Sequence, residues 1–158
     1  MFIYFALFLT AAVAAASTGM LFPTGAWYRT LTKPTWVPAN WVFPIVWTSI
    51  YLLISFAGAR VAMAGGGTLA LAFWAVQIAL NTLWTPVFFG LRHWRASLIV
   101  MAGLWLAVLA CVLTHFAVDF WAGLAFVPYL IWVTIAAALN LSITRLNPDQ
   151  KPLRISDI

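Results

Sequence analysis

The sequence predicts an all-α integral membrane protein, a bundle of five transmembrane helices forming one domain over residues 1–158. Three observations carry that prediction. The chain is 65% hydrophobic and only 7% charged, with a mean hydropathy of +1.02, whereas soluble domains are roughly 45–50% apolar and about 25% charged. Five apolar stretches each reach the roughly 20 residues that a helix needs to cross a bilayer core. The basic residues also segregate into alternate connections, as the positive-inside rule requires.

The first span is read at residues 3–22, an apolar stretch carrying the small-xxx-small run Ala11, Ala15 and Gly19. Its Ala-rich segment Val13 to Ser17 resembles a signal-peptide cleavage region, but no Lys or Arg precedes it, so it is read as a retained helix. Residues 23–41 follow as a structured loop. There Pro23, Gly25, Pro34 and Pro38 alternate with Trp27, Tyr28, Trp36 and Trp41, a stiff and interface-seeking composition that reads as a lid or an interfacial anchor. The second span, 42–63, offers Trp47 and Tyr51 four residues apart. After Gly65-Gly66-Gly67 comes the third, 69–89, on which Trp74, Gln77, Asn81, Trp84 and Phe88 share one helical face, and Ala75 and Ala79 form a shorter small-residue pair. The fourth is 96–116. The fifth, 121–144, aligns Tyr129, Trp132, Ala136, Leu139 and Asn140. Tight connections predict that consecutive helices are antiparallel neighbours.

Charge orients the bundle and excludes several functions. Arg29, Lys33, Arg92, Arg95, Arg145, Lys151 and Arg154 fall on one face and Arg60 alone on the other, so the N-terminus is expected outside and the C-terminus in the cytoplasm. An all-helical bundle with this bias suits a bacterial cytoplasmic membrane, with an outer membrane as the alternative. The cations stand singly, without the basic stripe that nucleic acid would need. Asp119, Asp149 and Asp157 lie at ends or in loops, so no span centre holds a carboxylate for a proton pathway. His93 and His115 lie near opposite helix ends and are read as interfacial, and Cys111 is the single cysteine. No metal site, disulfide or catalytic constellation is therefore expected.

Gln77, Asn81 and Asn140 are unfavourable in hydrocarbon without hydrogen-bond partners, so their faces should point into the bundle. For any one of them, interhelical bonding is the simpler reading. Together with ten tryptophans, the stripes suit a flat apolar ligand that stacks on rings and accepts from indole N–H groups.

Three segments carry a family likeness: Trp27-Tyr28 with Leu31-Thr32-Lys33-Pro34-Thr35-Trp36 and Trp41; Gln77 to Gly90, QIALNTLWTPVFFG; and Pro128 to Asn140, PYLIWVTIAAALN. Over roughly residues 27–145 the chain resembles the translocator protein family, also called tryptophan-rich sensory proteins or peripheral-type benzodiazepine receptors. The resemblance implies a five-helix fold, usually a homodimer, that binds porphyrins such as protoporphyrin IX, sterols and benzodiazepine-site ligands under the first loop. Family pocket positions fall on Trp47, Asn81, Trp84, Trp132, Ala136 and Leu139, and the loop motif on Trp27, Lys33 and Trp36; Tyr51 joins them from its stripe. The implied function is a tetrapyrrole-binding sensor or carrier with no obligatory cofactor. Light-dependent porphyrin degradation at Trp47 or Trp132, transport, and a scaffolding role are the alternatives. Departures from the family pattern are Pro38-Ala39 in place of paired prolines, Leu141 where the sterol motif has tyrosine, and Ala96 at a pocket tryptophan position beside Trp94.

Overall fold

Five long apolar helices and one short one make up the computed structural model, which describes residues 1–153; Arg154 of the basic count lies outside the described residues. They are α1 (Phe2–Leu21), α2 (Ala26–Thr30), α3 (Val42–Ala64), α4 (Thr68–Thr85), α5 (Trp94–Phe116) and α6 (Phe120–Leu146). A π-helical turn, Pro86–Gly90, prolongs α4. All but α2 are long and apolar enough to cross a membrane, and their ends fall within about two residues of the expected spans.

Local chemistry explains the boundaries. Gly65 and Gly66 take φ of 68° and 79°, a left-handed backbone that stops α3 and that glycine adopts without steric cost. Asp119 caps α6 by accepting from the Ala122 N–H at 2.8 Å. Pro86 has no N–H to donate back into α4, and the Leu91 N–H reaches the Pro86 carbonyl five residues back at 2.8 Å.

The long helices close into a ring in the order α1, α4, α5, α6, α3 and back to α1. This corrects the expectation that every tight connection joins packed neighbours. It holds for α4 with α5 and for α5 with α6, but α3 and α4 share only a small contact because α1 wedges between them. Gly58 of α3 makes room for the wedge: a β-carbon there would lie 2.8 Å from the Phe8 ring of α1. Phe8 in turn meets Trp74 of α4 edge-on, with centroids 4.6 Å apart. Where α3 and α4 do meet, the Trp74 indole donates to the Ile54 carbonyl at 2.8 Å. Within the small-residue run of α1, Ala15 is buried and Ala11 half-buried in the chain's own packing while Gly19 is exposed; Ala75 and Ala79 of α4 face outward.

Large side chains such as Leu7, Ile99, Leu113 and Ile131 cover the exterior, as expected where lipid is the solvent. The polar groups close the seams instead. Asn140 of α6 and Ser97 of α5 exchange hydrogen bonds at 2.9 and 3.2 Å. Arg60 of α3 grips Asp119 with two bonds, 2.7 and 2.6 Å, at one end of the bundle. Arg29, Lys33, Arg92, Arg95, Arg145 and Lys151 lie at the other, the lid end, which the 23–41 loop covers. His115 is not interfacial as expected. It is fully buried against Phe126, its Nδ1 2.8 Å from the Cys111 carbonyl, because the last turn of α5 packs inward on α6.

Candidate functional site

Three helices deliver the inward stripes to one region of the lid half. On α3, Trp47 stacks on Tyr51 with centroids 5.5 Å apart. The Tyr51 hydroxyl donates to Asn81 Oδ1 of α4 at 3.0 Å, and Asn81 Nδ2 donates to the Tyr129 hydroxyl of α6 at 2.9 Å. Trp47 meets Tyr129 edge-on at 5.9 Å, which closes the aromatic group from the α3 side. This chain of two bonds ties three helices that are distant in sequence, and each member sits on the stripe where helical spacing puts it.

Above this layer, toward the lid, Trp132 of α6 packs edge-on against Phe43 of α3 at 5.6 Å, and Trp84 of α4 stacks on Phe88 at 5.2 Å. The indole N–H groups of both Trp84 and Trp132 are buried without a hydrogen-bond partner among the described residues. Both amide atoms of Gln77, further from the lid on the α4 stripe, are in the same condition. Buried tyrosine and tryptophan polar atoms normally find partners, because leaving one bare costs about 1–3 kcal/mol.

The lid sits on these rings. Leu31 is its plug, buried among Phe88, Trp94, Leu139 and Ile143, with Trp27, Tyr28, Phe43 and Trp84 packed around them. A small cavity among Trp27, Leu31, Trp94, Ile143, Asn147 and Gln150, to one side of the aromatic group, measures about 10 Å³, room for a single water at most. Lys33 folds back on the lid itself, its Nζ 4.5 Å from the Tyr28 ring centroid and 3.4 Å from the Leu31 carbonyl. Burial raises the Tyr28 pKa above its ordinary value, so the phenol stays neutral under that ammonium.

The predicted residues therefore divide. Trp47, Tyr51, Asn81, Trp84, Trp132 and the half-buried Ala136 belong to one inward group, with Leu139 bridging to the lid. Trp27 and Lys33 belong to the lid proper. Trp36 stands apart with nearly half its surface exposed. Sequence reasoning left out Tyr129, which its own stripe already contained, and Phe43, Asn147 and Gln150, which carried no signal because their partners lie far off in the chain.

A model of the TspO/MBR family matches residues 4–146. The chain belongs to the TspO/MBR family. It is 51% identical over 155 residues to Protein CrtK of Rhodobacter capsulatus, covering 96% of this chain and 97% of that protein. It is equally 51% identical over 150 residues to the tryptophan-rich sensory protein of Cereibacter sphaeroides, covering 95% of each. To the translocator protein of Homo sapiens it is 31% identical over 126 residues, 77% of this chain and 75% of that one. This TspO/MBR protein is thus a multi-pass membrane protein of the tryptophan-rich sensory and translocator kind, as its sequence motifs anticipated.

Proposed function

We propose that this TspO/MBR chain binds a flat, largely apolar tetrapyrrole of the protoporphyrin IX kind beneath the lid, as a membrane sensor or carrier. The observation that carries the reading is the pair of unspent donors: Trp84 and Trp132 bury their indole N–H groups without partners among the described residues, on the aromatic group under the lid. Stacked and edge-on rings at Trp47, Tyr51, Trp84 and Trp132 supply faces for a macrocycle, and the indoles supply donors for its polar periphery. Cations gather at the same end, where propionate groups would emerge into the interface. Because Leu31 and the lid aromatics pack directly on Phe88, Trp84 and Leu139, binding on this reading requires the lid and its plug to part. We assign the lid end to the cytoplasmic side, since the cations favour it, and homodimer pairing to the outward Ala75 and Ala79 face of α4.

Titration with protoporphyrin IX, read by quenching of tryptophan fluorescence, tests the site. Trp132→Phe keeps a ring but removes the donor, and the expected loss is about 2–10-fold in affinity, the worth of one hydrogen bond. Asn81→Ala, which dissolves the tie between the three helices, is expected to weaken binding at least as much. Titrations that superimpose on wild type in both variants would eliminate this pocket.

A further inference from the structure

We propose that the strap following α6 is the latch of the lid, and that Asn147 and Gln150 are the positioning residues that set access to the aromatic site. Pro148 cannot continue α6, so the chain leaves the helix at Asn147 and turns across the lid end. There Asn147 does what a neighbouring strand would do. Its Oδ1 accepts the Thr32 backbone N–H at 2.9 Å, and its Nδ2 donates to the Thr32 carbonyl at 2.8 Å. The same Nδ2 also donates to the Ile143 carbonyl at 2.8 Å, which ties the grip to the last turn of α6.

Gln150 makes the second hold. Its Oε1 accepts from the Trp27 indole at 3.2 Å, and the Arg92 guanidinium lies 5.6 Å from the Trp27 ring centroid. The strap is itself anchored, for the Leu153 N–H donates to the Leu91 carbonyl at 3.0 Å in the connection between α4 and α5. Between the two holds lies Leu31, the buried plug over Phe88 and Leu139. The lid has no other side-chain hydrogen bond to the rest of the chain among the described residues. Its closure therefore combines one apolar plug with two strap residues whose bonds to the lid lie outside the spans, where water can compete for them. Such contacts break and re-form locally without disturbing the helix ring.

The effect on ligand exchange rests on the tetrapyrrole reading; the effect on the lid does not. Ile143→Cys in the full chain, held in detergent or nanodiscs, places a thiol under the lid beneath the intact Leu31 plug, while the native Cys111 is fully buried. Labelling by a hydrophilic maleimide then reports lid opening without any ligand. Asn147→Ala is expected to speed labelling about tenfold, Gln150→Ala about threefold, and Asn147→Asp, which keeps the acceptor for Thr32, by an intermediate factor. Cys111 should stay unlabelled throughout, which separates lid opening from general unfolding. With protoporphyrin IX, association and dissociation should both accelerate in Asn147→Ala while Kd moves much less than either rate. Labelling of Ile143→Cys at an unchanged rate when Asn147→Ala is added would overturn the latch; if that variant fails to fold, an unchanged rate with Gln150→Ala overturns it alone. Faster labelling with unaltered porphyrin kinetics would uphold the latch and count against the tetrapyrrole site.

Discussion

Three amides on inward stripes meet three different fates. Asn140 is paired with Ser97 across α5 and α6, and Asn81 joins Tyr51 to Tyr129. Gln77 is fully buried with neither amide atom bonded among the described residues. An amide inside a bundle has no solvent to fall back on, so these differences have energetic consequences. Gln77→Leu is expected to raise the resistance of the ligand-free protein to denaturation by about 1–2 kcal/mol, by removing an unmet polar group. Asn81→Leu should lower it by about 1–3 kcal/mol, because the buried Tyr129 hydroxyl loses its partner. Unfolding of both variants in detergent checks the pair, and a shift of the same sign in each would refute the distinction. In the sequence the three amides look alike: spacing assigns each to an inner face, but the partner comes from a helix that spacing cannot choose.

At the scale of elements, Asp119 joins two tasks. It caps α6 through the Ala122 N–H and receives both bonds from Arg60 of α3, fastening the end of the ring remote from the lid. The hydrogen bonds from the Arg60 guanidinium, helped by the cap, hold its carboxyl at about 2, below the ordinary 3.8. A depressed carboxylate pKa contributes stability that is fully present above about pH 4 and is lost as pH falls through 2. Wild-type protein should therefore lose melting temperature between pH 5 and pH 2. Asp119→Asn should start lower at pH 5 and change less over that range; parallel curves would remove the linkage. The exposure of the pair limits its worth, so the effect is expected to be modest beside that of the buried core. That Asp119 lies at a helix end was legible in the sequence; the Arg60 partner, 59 residues away, was not.

The whole molecule is a ring of helices under a fastened lid, with α1 as the wedge that separates α3 from α4. Leu31 and its lid pack directly on Phe88, Trp84 and Leu139, so on the tetrapyrrole reading the ligand must wait for a rarer open form. The expected signature is an association rate that stops rising with protoporphyrin IX concentration, because lid opening becomes limiting. Stopped-flow quenching measures it directly, and a strictly linear dependence reaching diffusion-limited values would contradict a gated site. Five spans, their cation bias and the aromatic stripes were readable because lipid solvation constrains each helix separately. The order around the ring was not readable, since short connections limit how far apart two helices lie but do not prevent a third from entering between them.

By itself the sequence determined that the chain lives in a membrane, how many times it crosses, and which face of the second, third and fifth spans turns inward, since these depend only on local hydropathy and on a period of 3.6 residues. Tertiary structure alone decided which inward groups share hydrogen bonds, which remain bare, and that the strap beyond α6 fastens the loop before α3. Those outcomes depend on contacts between segments from 30 residues apart, as at Tyr51 and Asn81, to 115, as at Thr32 and Asn147, and such contacts leave no period in the chain.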